Sequence, residues 1–341
     1  MDENVLIPAP GPEDLPLDEM LRPRNFNEFV GQDRLKENLR IYIEAARKRS
    51  EPLDHTLFSG PPGLGKTTLA TLMASEMGAN IKATSGPALE RPGDLVGLLT
   101  NLEEGDVLFI DEIHRISPVT EEYLYAAMEN FQIDIVLDQG PSARSVKMRL
   151  ARFTLIGATT REGLLSAPFR DRFGVVEKLD YYPPDDLRQI ALNSASRLKV
   201  AIENDAAQLM AVRARGTPRV VNRFLRRIRD VAQVMGSGTI TMQAAEEGLR
   251  RLGVDEHGLG EMDRRILRIL VDNSGQAVGL KTIAVAVGEE EDTITDVYEP
   301  YLIQEGYLHK SPRGRLATTR ACEHYGQPGK PGRRGDRGLF Q

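Results

Sequence analysis

The chain has 341 residues, 40% of them hydrophobic and 28% charged, with a net charge of −6. That balance suits a globular protein with room for two or three domains, and its acidic sign confines any nucleic-acid contact to a local patch. One cysteine, Cys322, excludes an internal disulfide. No apolar run approaches the roughly 20 residues of a bilayer span, and no basic segment leads into a signal-like apolar stretch, so a soluble cytoplasmic protein is expected.

Residues 1–20, acidic and proline-rich, read as a flexible arm. A proline-interrupted loop from Leu21 leads into an amphipathic helix over about Asp33 to Lys48. His55 to Ser59 then reads as a short buried strand, followed by Gly60-Pro61-Pro62-Gly63-Leu64-Gly65-Lys66-Thr67 and a helix from Thr68. This fits the G-x-x-x-x-G-K-[ST] loop: backbone N–H groups cradle phosphates, Lys66 reaches the β- and γ-phosphates, and Thr67 ligates Mg²⁺. The helix start behind the loop adds orphan N–H groups and a favourable dipole for an anion.

Asp106 to Glu112 is a second buried strand ending in two carboxylates. Asp111 suits the Mg²⁺ shell, and Glu112 suits orienting or deprotonating the attacking water. Phe153 to Arg161 is a third strand with a polar tip. Parallel strands alternating with helices make an α/β core, a parallel sheet with helices on both faces, whose ligands gather at the strands' C-terminal ends. Gly65, Asp111 and Thr159 fall at such ends. For Thr159 two readings stay open, a γ-phosphate sensor and a simple helix cap.

Two period-two runs, Ile133 to Leu137 and Val146 to Leu150, flank Gly140-Pro141 and predict a β-hairpin over about 131–150. It either packs on its own domain or presents an apolar tip to a partner. Arg170-Asp171-Arg172 offers a trans arginine finger, worth about 10³–10⁵ in rate. A surface ion pair there would contribute only about 0–1 kcal/mol to stability.

Beyond Tyr182 the pattern turns helical, with four helices over 183–254. Arg219 sits in the first turn of the helix that Pro218 opens, and seven arginines fall between Arg213 and Arg229 with no acid among them. A lid over a nucleotide explains Arg219; a DNA-facing strip stays open for the rest. Residues 255–325 combine three helices with a wing around Ser311-Pro312-Arg313-Gly314, as in a winged-helix module. The wing region carries Lys310, Arg313, Arg315 and Arg320, suited to phosphate contact. Residues 326–341 read as a disordered tail with basic residues Lys330, Arg333, Arg334 and Arg337.

The segments Gly60–Thr68 and Asp106–Arg115 resemble AAA+ ATPases. Thr84-Ser85-Gly86-Pro87, Gly157-Ala158-Thr159-Thr160-Arg161, Gly216-Thr217-Pro218-Arg219, Tyr301-Leu302-Ile303-Gln304 and Pro312-Arg313-Gly314-Arg315 narrow the likeness to the RuvB family of Holliday-junction branch-migration motors. The resemblance covers about residues 20–325. It implies a ring of six subunits, each with an ATPase domain (21–182), a helical lid (183–254) and a winged-helix head (255–325), that hydrolyses ATP with Mg²⁺ and pulls duplex DNA. Leu21, Arg22, the Glu129-Asn130-Phe131 segment and Tyr182 are implied around the nucleotide, with Gly63, Lys66, Thr67 and Thr68 on the phosphates. Arg219 is implied as the cis sensor and Arg172 as the trans finger. Val146 and Met148 match apolar contacts to RuvA, RuvC joins for resolution, and Arg313 and Arg315 match contacts to the DNA backbone. One departure is Gly288-Glu289-Glu290-Glu291-Asp292, where the family usually has arginine in place of Glu291. A glutamate there repels phosphate and implies weaker intrinsic DNA affinity or greater dependence on RuvA.

Overall fold

The computed structural model describes Leu6 and residues 19–136, 145–273 and 275–326. The rest of the expected arm, the hairpin turn with Gly140-Pro141, and the tail from residue 327 lie outside the described residues. Two units result, one running to Tyr182 and one from Pro183 that also takes in Leu6, which is buried.

The first unit is built on a parallel sheet of five strands: β1 (Thr56–Ser59), β2 (Ile81–Ser85), β3 (Val107–Asp111), β6 (Thr154–Thr159) and β7 (Val175–Lys178), in the order β2-β3-β6-β1-β7. β1 and β6 are buried along their whole length, and β3 is buried up to its last residue, Asp111. Such unbroken apolar runs are what helices on both faces demand. The edge strands β2 and β7 are only partly buried, and their weak apolar signal kept them out of the sequence reading. The predicted hairpin forms from β4 (Gln132–Val136) and β5 (Ser145–Arg149), with Ile133 opposite Met148 and Ile135 opposite Val146.

The helix Asp33–Arg49 buries Leu35, Leu39, Ile43 and Ala46, one stripe at helical spacing, and ends in three basic residues that suit the negative end of its dipole. Pro118–Asn130 is started by Ser117, whose hydroxyl accepts the Thr120 N–H at 3.1 Å. His55 bonds that helix to the sheet. Its Nδ1 accepts the Leu155 N–H at 2.8 Å, so Nε2 carries the proton and donates to the Met128 carbonyl at 3.2 Å.

In the second unit the lid helices are Pro184–Arg197, Asn204–Arg213, Pro218–Met235 and Met242–Arg251. The head follows with Glu261–Asp272, Leu280–Val287 and a helical run ending at Gln304. That run is not uniform: Ile294–Tyr298 forms a π turn before Glu299–Gln304. Pro300 supplies the reason, because it has no N–H to continue the i−4 ladder. β8 (Leu308–Ser311) and β9 (Gly314–Ala317) make the wing, Val278 bridges Arg315 as a minimal third strand, and a short helix Thr319–His324 closes the head. Among the described residues no helix is long and apolar enough to cross a membrane.

Lid and head meet through Arg215, which is almost fully buried. Its Nε donates to the Gly258 carbonyl at 2.9 Å, its Nη2 bonds Asp263, and its guanidinium lies 4.5 Å from the centre of the Tyr301 ring. Asp263 also accepts the Gly260 N–H at 2.8 Å and so starts its own helix. Arg223 is buried as well, so the seven arginines are not the continuous DNA-facing strip that their spacing left open.

Two outcomes follow from these contacts. Asp263→Ala strands a buried cation and should destabilise the lid–head unit by about 3–5 kcal/mol in chemical denaturation, with Asp263→Asn milder; a cost near zero would show the pair to be idle. Burial depresses the pKa of His55 against the opposing pull of the Met128 carbonyl. The unfolded chain therefore takes up the proton first, and this share of stability is full above a pH of about 6.5 and shrinks as pH falls below it. The urea midpoint should drop more between pH 7.5 and 5.5 for wild type than for His55→Gln, and equal drops would refute the assignment.

Candidate functional site

Ser59 closes β1 and the phosphate loop begins at once. Gly60 has φ 134°, and a Cβ there would stand 2.5 Å from the Leu179 carbonyl oxygen, so no other residue fits without moving the backbone. Gly65, at φ 103°, opens the helix Lys66–Met77 with no side-chain cap, and a helix start of that kind favours an anion. Lys66 is buried, and its Nζ donates to the Gly60 and Pro61 carbonyls at 2.7 and 2.8 Å. The ammonium thus lies inside the loop that also holds Gly63. Tyr182 is buried and donates to the Leu64 carbonyl at 3.0 Å, while the Phe29 ring walls Gly65. Leu21 is buried and Arg22 partly so.

Thr67 and Asp111 meet across two elements, Oγ1 to Oδ2 at 3.4 Å. A hydroxyl beside a carboxylate is a hard-oxygen pair suited to a small divalent cation that keeps waters and takes its other ligands from phosphates. Glu112 follows with φ 51°, an uncommon left-handed conformation for a non-glycine residue at a strand's end. Its carbonyl comes so near Gly86 that a Cβ there would stand 2.3 Å away.

The sequence reading missed His114, two residues beyond Glu112. This imidazole is buried, with Nε2 3.6 Å from the Glu112 carboxylate and Nδ1 3.0 Å from Thr159 Oγ1. Thr159, fully buried, also accepts the Arg161 N–H at 3.0 Å. With His114 Nδ1 protonated, the hydroxyl accepts from both partners and keeps its own O–H to donate; with Nδ1 bare, the O–H is spent on His114. His114 also links Thr159 to Glu112. A histidine just past the acid pair was the available signal.

Lys66, Thr67, Asp111, Glu112 and Thr159 therefore stand together at the C-terminal ends of three adjacent strands. Arg172 lies with a different group: its Nη2 donates to the Tyr125 hydroxyl and sits 3.3 Å from Glu129, and its guanidinium lies 4.5 Å from the Tyr125 ring centre. The Tyr125 bond, then the Glu129 charge, raise its pKa further, so it is a permanent cation. Asn130 is exposed, while Phe131 packs edge-on against Phe153 at 5.8 Å. On the hairpin, Val146 and Met148 are exposed apolar residues.

Arg219 and the wing belong to the second unit. Arg219 occupies the first turn of Pro218–Met235. The wing is less basic than its local sequence suggested, because Glu299 is buried beneath it. Arg315 donates to both oxygens of Glu299, and Lys310 Nζ lies 2.9 Å from it. Burial pushes the Glu299 pKa up, but the bonds from Arg315 and Lys310 outweigh this and hold it low. Arg320 pairs with Glu305 at 3.4 Å, and Arg313 is exposed at the tip.

Comparison with known proteins accounts for almost the whole described chain. Residues 21–179 match the Holliday junction DNA helicase RuvB P-loop domain, 182–255 the RuvB AAA lid domain, and 256–326 the RuvB C-terminal winged helix domain. The Holliday junction branch migration complex subunit RuvB of Myxococcus xanthus is 56% identical over 326 residues, covering 95% of this chain and 94% of the relative. Its counterpart in Flavobacterium psychrophilum is 56% identical over 317 residues, covering 93% of each. The solved structure of the Thermotoga maritima RuvB Holliday junction branch migration motor superposes with a TM-score of 0.82 at 46% identity, covering 90% of this chain and 99% of that one. With the phosphate loop and acid pair assembled on a parallel sheet, and a helical lid and winged helix following in sequence, the chain belongs to the RuvB family of AAA+ ATPases.

Proposed function

We propose that this protein is the ATP-driven motor that moves Holliday junctions during recombination and repair, working in the cytoplasm as a ring of six subunits on duplex DNA, with RuvA docked on the hairpin and RuvC joining for resolution. The observation that carries this reading is the meeting of Lys66, Thr67, Asp111 and Glu112 at one edge of the sheet, in a chain that ends in a winged helix.

Phosphoryl transfer to water needs positioning and charge neutralisation rather than a covalent intermediate. The loop N–H groups and Lys66 hold the β- and γ-phosphates, with Gly63, Gly65 and Thr68 shaping the cradle. Leu21, Arg22, Tyr182 and the Glu129-Asn130-Phe131 segment border the nucleotide. Thr67 and Asp111 would hold Mg²⁺, which would supply positive charge to offset that of the phosphates. Glu112 orients the attacking water and accepts its proton, and Thr159 adjusts Glu112 through His114. Arg172 reaches the γ-phosphate of the neighbouring subunit, and Arg219 reads the phosphates of its own. Val146 and Met148 give RuvA an apolar contact, which their exposure supports. In the wing Arg313 carries the main phosphate contact. Lys310 and Arg315 add less, because they share their charge with Glu299.

Arg172→Ala should lower DNA-stimulated hydrolysis by about 10³-fold or more. An equal mixture with wild type, on circular duplex DNA with RuvA, should fall well below the average of its parts. Normal hydrolysis by the variant would remove the finger, and wild-type hydrolysis indifferent to DNA and RuvA would favour an ATP-gated DNA binder. Arg313→Ala should weaken duplex binding evenly across sequences and reduce the slope of log K against log salt by about 1. An unchanged slope would take Arg313 off the phosphate.

A further inference from the structure

Arg172 stands on a weak support of its own. It follows a helix of one turn, Ala167–Arg170, and its side chain is more than a third exposed. Long arginine side chains in such places lose considerable rotamer entropy when fixed, so a placed guanidinium needs a partner that is already rigid. The helix Pro118–Asn130 provides it. Glu121, Tyr125 and Glu129 recur at every fourth position and meet the arginine-bearing segment at both ends. Glu121 accepts the hydroxyl proton of Ser166, the residue that caps Ala167–Arg170, while Tyr125 and Glu129 receive Arg172. Tyr125 packs against the core of the unit, so the surface under the guanidinium is anchored to the sheet.

We propose that Tyr125 is a positioning residue for the arginine finger, and that the Glu121-Tyr125-Glu129 face is the strut on which that finger is set before it meets the neighbouring subunit. The Tyr125 and Glu129 contacts both use Nη2, and a guanidinium has five N–H donors. Tyr125 can therefore keep hold of the ring-facing side while Nη1 and Nε turn to phosphate. The strut also continues from β3 through the turn Ile113–Arg115. The residues that hydrolyse ATP in one subunit are thus coupled mechanically to the finger that the same subunit lends. This inference rests on the reading of Arg172 as a trans finger.

The test is steady-state hydrolysis by the full chain with duplex DNA and RuvA, for Tyr125→Ala, Tyr125→Phe, Arg172→Ala and the Tyr125→Ala/Arg172→Ala double variant. Losing a charge-assisted hydrogen bond and a ring contact should lower kcat about tenfold in Tyr125→Ala, with KM for ATP changed by less than about twofold. Tyr125→Phe keeps the ring and should lose less. The double variant should be no slower than Arg172→Ala, because Tyr125 acts only through that arginine. If Tyr125→Ala keeps wild-type kcat while Arg172→Ala is inactive, the strut falls and the finger stands; a loss that multiplies in the double variant also overturns it. If Arg172→Ala hydrolyses normally, the finger reading fails first and takes the strut with it.

Discussion

Three parallel strands ending side by side are the constraint on which the ATPase unit depends. β1 delivers the phosphate loop, β3 the acid pair and β6 Thr159, and their registers place Ser59 beside Thr159 and Ile110 beside Gly157. A slip of one residue in any strand would turn its terminal side chain to the other face. Full burial prevents such slips, since Leu57, Phe58, Leu108, Ile110, Leu155 and Ile156 would each have to leave the core. The chemistry at the edge is thus held by apolar packing behind it, and the strained backbone of Glu112 is paid for in the same place.

Around that edge the polar contacts run in sequence rather than as isolated pairs. Glu112, His114 and Thr159 link two strand ends, and the turn that carries His114 leads into the helix that supports Arg172. The second unit has its own organising contact in Arg215. There the ion pair with Asp263, the Gly258 carbonyl and the Tyr301 ring leave the guanidinium little exposed edge. Arg215 lies four residues before Arg219, so the helix start that would read the nucleotide and the joint to the head are parts of one turn of chain.

Much of this was legible in the sequence because the signals are local. The phosphate loop, the strand ending in Asp111, the paired period-two runs of the hairpin and the lid helix Pro218–Met235 each carry their information within a short window. What escaped depends on distant residues. Glu299 lies well before the wing in sequence, so the counting of wing charges could not include it. The pairing of Arg215 with Asp263 spans lid and head, and nothing around Arg215 distinguishes it from the other arginines of its run. Thr159 stayed ambiguous because its role depends on His114, which reaches it from the turn after the neighbouring strand β3. The π turn was hidden because Ile294, Val297, Tyr298, Tyr301 and Leu302 keep helical spacing straight through it, although Pro300 was in plain view.

The dryness of the Arg215–Asp263 contact has a consequence for the head on DNA. Contacts between exposed cations and phosphates weaken steeply as ions are added, because each releases condensed counterions. A pair shut away from solvent is screened far less. With the wing on phosphate as proposed, rising ionic strength should loosen its grip while leaving the Arg215–Asp263 joint stiff. The machine would let go of its track before its own linkage slackened, and a slipping stroke would be a whole stroke made without load.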